Sequence, residues 1–179
     1  MIIGLSGYAQ SGKDTVANYL VSNHGFTKIS FADPIRKALL LLDPKVTIAD
    51  MAGVPLSTAV AGLGWENVKA DSPEVRGLMQ RMGTEVGRNL FGKDFWVNQA
   101  MAKAVEYPRV VFADVRFENE AKSILKASGA VWRVSKPGVD AANEHISETS
   151  LDNYTFDREI SNIGSLEDLY ETIDYIISH

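Results

Sequence analysis

Residues 7–15 read GYAQSGKDT, directly behind the apolar run IIGLS at 2–6. Gly7 and Gly12 bracket four residues, and Lys13 follows at once. That spacing suits a loop whose backbone N–H groups, with those of the helix it opens, surround a β-phosphate. The lysine then adds a charge spanning the β- and γ-phosphates. Gly7, Gln10, Ser11, Gly12, Lys13, Asp14 and Thr15 are therefore candidates for holding ATP. The frame normally closes with Ser or Thr; here Asp14 holds that place and Thr15 comes one residue late. Asp14 has two readings. It stabilises the positive end of the helix, an effect of roughly 0.3–1 kcal/mol, or it holds Mg²⁺ or its waters, since that ion favours carboxylates together with substrate phosphates.

Other residues carry complementary chemistry. Asp114 ends the apolar run RVVFAD (109–114), the usual place for an acid that orders Mg²⁺ and its waters behind such a loop. Arg116 follows at the sheet edge where ligands of open α/β sheets bind. Asp33, at the matching end of the second strand, caps a helix before Pro34 or faces a ligand. Arg81 and Arg88 are seven apart, roughly one helix face, with Gly83 and Gly87 between them. A glycine inside a helix costs about 1 kcal/mol relative to alanine. Two in one helix call for a ligand or backbone in close approach, or for tight helix packing. Phe95 and Trp96 suit stacking on a base or burial in a core. Glu120 is an arginine partner or a helix-surface acid. His145 lies beside Glu144 and Glu148 with no second histidine or cysteine near, which argues against zinc.

The elements that position these residues follow from apolar periodicity. Residues 2–6, 26–31, 109–114, 130–135 and 156–161 read as strands; 13–22, 34–42, 118–127 and 166–177 read as helices. From Pro73, apolar residues at 75, 78, 79, 82, 86 and 90 define one face of a further helix. Residues 43–72 are mixed and give no clear element. Strands alternating with helices predict an α/β fold with a parallel sheet covered on both sides. The 179 residues fit one domain, 1–179. Within it, a helical region spans about 33–105 and a polar excursion about 136–155. There is no cysteine, and the net charge is −5. Disulfides and thiolate metal sites are thereby excluded, and the acidic balance disfavours a nucleic-acid polymer as partner. The apolar N-terminal run is too short for a membrane span, so a cytoplasmic enzyme is expected.

The loop resembles that of small-molecule kinases similar to adenylate kinase, which end it Gly-Lys-Gly-Thr with the hydroxyl one residue late. Ile29-Ser30-Phe31-Ala32-Asp33-Pro34-Ile35-Arg36 also follows a frame that, in those kinases, ends with an arginine on the acceptor phosphate. More closely still, the chain resembles the bacteriophage deoxynucleoside monophosphate kinases. The resemblance is carried by GYAQSGKDT, FADPIRKAL, QRMGTEVGR (80–88) with FW at 95–96, ADVRFENEA (113–121), EHISET (144–149) and SNIGSLEDL (161–169). It implies a three-layer α/β/α P-loop kinase fold with a central, mainly five-stranded parallel sheet and a lid at the excursion. It implies ATP- and Mg²⁺-dependent phosphorylation of deoxynucleoside monophosphates to diphosphates, in the host cytoplasm for a phage-encoded enzyme. On the acceptor side it points to Asp33, Arg36, Lys37, Arg81, Arg88, Trp96, Asp114, Arg116, His145 and Glu148. On the ATP side it adds Arg133, Lys136, Asn162 and Gly164 to the loop. Arg133 and Lys136 are the basic residues near the start of the lid, fewer than in the arginine-rich lids of adenylate kinases. Lys13, Arg36, Arg88 and Arg116 are expected to neutralise charge during transfer, and Asp14 and Asp114 to serve Mg²⁺, directly or through water. A homodimer is compatible with the sequence. Two rivals differ in chemistry: a dephospho-coenzyme A kinase, with a hydroxyl acceptor and Asp33 as base, and a nucleotide-binding switch ATPase with no small acceptor.

Overall fold

A computed structural model describes residues 1–139 and 150–179 of the chain. Its elements begin with β1 (Ile2–Ser6), α1 (Lys13–His24), β2 (Thr27–Ile29), α2 (Asp33–Leu42), β3 (Lys45–Ile48), β4 (Met51–Pro55) and α3 (Leu56–Asp71). There follow α4 (Pro73–Arg81), a π-helical segment (Met82–Phe91), α5 (Phe95–Ala104), β5 (Val110–Phe112) and α6 (Glu118–Lys126). The chain closes with β6 (Ala130–Ser135), β7 (Arg158–Ser161) and α7 (Leu166–Ser178). These elements form two compact units, Met1–Phe31 with Ala100–His179, and Ala32–Gln99.

The first unit holds a five-stranded sheet in the order β2-β5-β1-β6-β7, with every neighbouring pair parallel. The expected parallel sheet is present, with all five strands where the apolar runs place them. Strand pleating sends alternate residues to opposite faces. Ile3 and Leu5 of β1 join Val16, Ala17 and Leu20 of α1 and Leu169 and Ile173 of α7 in one core. Gly4 faces the other way, and a Cβ there would meet Ile124 of α6 at 2.5 Å. Helices thus cover both faces, giving three layers. Fully burying an aliphatic side chain of this kind contributes about 1.5–3 kcal/mol.

The second unit packs α2, the β3–β4 hairpin, α3 and α4 around Leu39, Val46, Ile48, Leu56, Val68 and Val75. The hairpin and α3 occupy the stretch that gives no clear sequence signal. Its turn uses Ala49 and Asp50, both left-handed at φ 47° and 64°. Asn-Gly or Asp-Gly is the usual signature of such a turn, so nothing in the residue types marks it. In α3, Gly64 leaves helical geometry at φ 77°, ψ 158°, which interrupts the periodicity.

The helix expected on one face from Pro73 is corrected. It is α-helical only to Arg81, and residues 82–91 follow a π register. Val75 is fully buried, whereas Val86 is 36% and Leu90 70% exposed. The wider i→i+5 repeat rotates later residues off the α-helical face. The seven-residue spacing of Arg81 and Arg88 therefore no longer returns to one face. Among the described residues, no helix is long and apolar enough to cross a membrane.

Candidate active site

The glycine loop leaves β1 and opens α1 in the first unit. Gly7 has φ 140°, and a Cβ on it would run into the Val134 carbonyl. Gly12, at the N-cap of α1, has φ 106°. Both positions demand glycine. Lys13 Nζ donates to the Tyr8 carbonyl at 2.6 Å, so the lysine arches back over the loop. Ser11 is 1% exposed, and its Oγ has no hydrogen-bond partner among the described residues. Gln10, exposed, is left-handed at φ 66°. Thr15 is half-buried at the third position of α1.

Asp14 sits in the first turn of α1, where the dipole favours an acid. It also pairs with Lys28 Nζ at 2.6 Å, with its side chain 80% exposed. Asp114 is tied to the end of β2: one oxygen accepts from the Phe31 N–H at 3.0 Å, the other from the Ser30 hydroxyl. Arg116 is exposed. Its backbone N–H donates to Glu120 Oε2 at 2.7 Å, and the Phe117 N–H donates to the same oxygen at 3.0 Å. Glu120 is thus no surface acid. At 7% exposure it caps the start of α6.

Asn162 and Gly164 lie in the turn between β7 and α7. Asn162 braces the loop: its amide donates to the Ser11 carbonyl at 3.0 Å, and its backbone N–H donates to the Ser135 carbonyl at 2.7 Å. A Cβ on Gly164 would strike the Asp168 carboxylate, which accepts from the Ser165 N–H at 2.8 Å. That bond, with one from the Ser165 hydroxyl, lowers the Asp168 pKa. Arg133 pairs with Asp152 at 3.4 Å, and Lys136 is exposed. Tyr8 also meets Asp152, and its hydrogen bond to that carboxylate raises the tyrosine pKa, with burial adding to it. His145 and Glu148 lie outside the described residues.

In the second unit, Arg36 on α2 binds Asp33 Oδ1 at 3.1 Å and Glu66 Oε1 at 3.5 Å. Its Nε is buried without a hydrogen-bond partner among the described residues. Glu66 also takes Lys69 at 2.8 Å. Glu66 and Lys69 were not foreseen, because α3 lies in the stretch with no sequence signal. Lys37 and Arg81 are exposed, and Arg88 is half-buried. A Cβ on Gly83 would approach Ile35 at 3.2 Å, and Gly87 is explained by Trp96. Its indole N–H donates to the Gly83 carbonyl at 3.0 Å, and a Cβ on Gly87 would overlap the ring itself. Phe95 meets Trp96 edge to face at 4.8 Å. What approaches Gly87 so closely is a protein indole.

The family model described as deoxynucleotide monophosphate kinase matches residues 1–66 and 56–173. A putative deoxynucleotide monophosphate kinase of Acanthamoeba polyphaga mimivirus is 30% identical, over 97% of this chain and 94% of that protein. The deoxynucleotide monophosphate kinase of Escherichia phage RB69 is 25% identical, over 98% of this chain and 99% of its own. Among solved structures, a dephospho-CoA kinase from Campylobacter jejuni aligns over 99% of this chain and 95% of its own, with 17% identity and a TM-score of 0.49. At that distance the alignment adds nothing to the assignment. With a glycine loop between β1 and α1 and a family match along nearly its whole length, the chain belongs to the deoxynucleotide monophosphate kinase family.

Proposed function

We propose that this kinase moves the γ-phosphoryl group of ATP onto the phosphate of a deoxynucleoside monophosphate, giving ADP and a deoxynucleoside diphosphate. An oxygen of the acceptor phosphate forms the new bond to the γ-phosphorus. The bond from that phosphorus to the β–γ bridging oxygen breaks, and ADP leaves with its electron pair. The acceptor is already nucleophilic at neutral pH, so alignment and charge neutralisation suffice and no strong base is needed.

The observation that carries this reading is the glycine loop with Lys13 at the start of α1. Loop N–H groups and the α1 N-terminus hold the β-phosphate, and Lys13, keeping one N–H on the Tyr8 carbonyl, directs its other donors to the β- and γ-phosphates. Arg36, Arg88 and Arg116 neutralise the acceptor. A guanidinium binds phosphate in a two-pronged way that lysine cannot reproduce, and the buried Arg36 Nε–H is a donor suited to an anion. Asp33 is engaged by Arg36 at 3.1 Å, which disfavours it as the base a hydroxyl acceptor would require.

Asp14 and Asp114 supply hard oxygens of the kind Mg²⁺ takes, directly or through water. The Asp14 partner is an exposed lysine, and such pairs are weak enough to be displaced. Asp114, with both oxygens engaged, suits ordering the ion's waters. Bound with ATP there, the ion would offset charge on the β- and γ-phosphates. The substrates are mononucleotides rather than a nucleic-acid polymer, and the reaction belongs in the cytoplasm.

The test is a panel of acceptors with ATP, following ADP and phosphorylated product. Deoxynucleoside monophosphates should be consumed in step with ADP, and Lys13→Ala should lose nearly all transfer while remaining folded. Arg36→Ala or Arg88→Ala should cut kcat/KM for the monophosphate about 10- to 100-fold and leave the ATP KM within about twofold. Normal monophosphate kinetics in both arginine variants would remove the acceptor assignment. Transfer to dephospho-coenzyme A alone would replace the substrate.

A further inference from the structure

The residues between Gly7 and Gly12 are Tyr8, Ala9, Gln10 and Ser11, so Tyr8 is the one large side chain by which the loop can be gripped. With left-handed residues at Gly7, Gln10 and Gly12, the loop is permissive in its own backbone. The first unit grips Tyr8 firmly. Its hydroxyl donates to Asp152 Oδ1 at 2.8 Å. The Arg133 guanidinium, carried by β6, lies over its ring at 4.7 Å from the centroid and over the Phe156 ring at 5.5 Å. The same guanidinium reaches Asp152 Oδ1 at 3.4 Å, and the Arg133 side chain is only 16% exposed. On its backbone side, Tyr8 offers the carbonyl that accepts both Lys13 Nζ at 2.6 Å and the Ser11 N–H at 3.2 Å.

Arg133 is therefore answered in charge by Asp152 and covered by two aromatic rings. The loop residue it covers is the one that holds the reactive lysine. We propose that Arg133 is a positioning residue for the donor nucleotide: acting through the Tyr8 ring, and with Asp152, it fixes the loop carbonyl that holds Lys13, and it does not itself touch the triphosphate. This rests on the donor-loop reading above. A planar guanidinium suits the task because it stacks on a ring face while its edge binds a carboxylate.

A double-mutant cycle separates action through Tyr8 from direct contact. Tyr8→Leu, Arg133→Met and the double variant are titrated with ADP by calorimetry, alongside Tm and the KM values for both substrates. Each single variant should weaken ADP binding about three- to tenfold, with the monophosphate KM unmoved. The double variant should bind ADP within about twofold of the weaker single variant. Multiplication of the two losses would mean that Arg133 contacts the nucleotide, and unchanged affinity in Arg133→Met would mean that it does neither; either result overturns the proposal. Should Arg133→Met fail to fold, Asp152→Asn takes its place, with weakened ADP binding at an unmoved monophosphate KM expected and wild-type ADP affinity overturning it. Lys13→Ala serves as the reference. If it keeps normal turnover, the donor-loop reading falls and takes this inference with it; if only the cycle fails, that reading stands.

Discussion

Asp14 illustrates how one side chain serves several ends. It lies in the first turn of α1 and bonds Lys28 at 2.6 Å, yet its exposure leaves it free to exchange that partner. Asp14→Asn keeps the shape and removes the charge. It should raise the magnesium concentration for half-maximal rate several-fold, while folding stability falls by no more than about 1 kcal/mol. An unchanged magnesium titration would leave Asp14 with only the helix end and Lys28. The glycine loop was legible in the sequence because its residues are contiguous and its φ demands select glycine. The partners that complete it were not. Asn162 reaches Ser11 across 151 positions, and Tyr8 reaches Asp152 across 144. Such contacts depend on the order of strands in the sheet, which no local pattern reports. Glu120 could be named, but its cap geometry could not.

At the scale of elements, strands and amphipathic helices read well where period and residue type agree, as in β6, foreseen at 130–135 and found at Ala130–Ser135. The reading failed where backbone conformation departs from what residue types announce, as at the Ala49–Asp50 turn and at the change from α to π register after Arg81. The glycines of that helical stretch make opposite predictions. Gly87→Ala would drive a methyl into the Trp96 indole, and overpacking of this kind costs about 1–3 kcal/mol. Its Tm should fall by a few degrees. Gly77→Ala, in α4, meets nothing within 4 Å and has ordinary helical φ. It should gain about 0.4–1 kcal/mol and raise Tm. Thermal scans of the two variants decide the matter. Equal and small shifts would mean that the indole yields easily and that Gly87 is not required for packing.

At the scale of the molecule, the unit that carries the glycine loop is assembled from two stretches of chain, with residues 32–99 between them in sequence. β1 has β5 and β6 as its neighbours, and β2 touches only β5. Among the described residues, no strand of this sheet therefore has a partner within the first hundred residues. In order of synthesis, β1 and β2 emerge long before Val110–Phe112, the strand that lies between them in the sheet. The intervening unit, by contrast, carries its own hairpin and core. A nascent chain halted before residue 105 should protect amides of β3 and β4 from hydrogen exchange while β1 exchanges freely and ADP fails to bind. Protection of β1 in that fragment would show that helix packing alone can hold it. The sheet behind the glycine loop is thus among the last parts of this enzyme to come into being, and until then β1 has neither of its two strand partners.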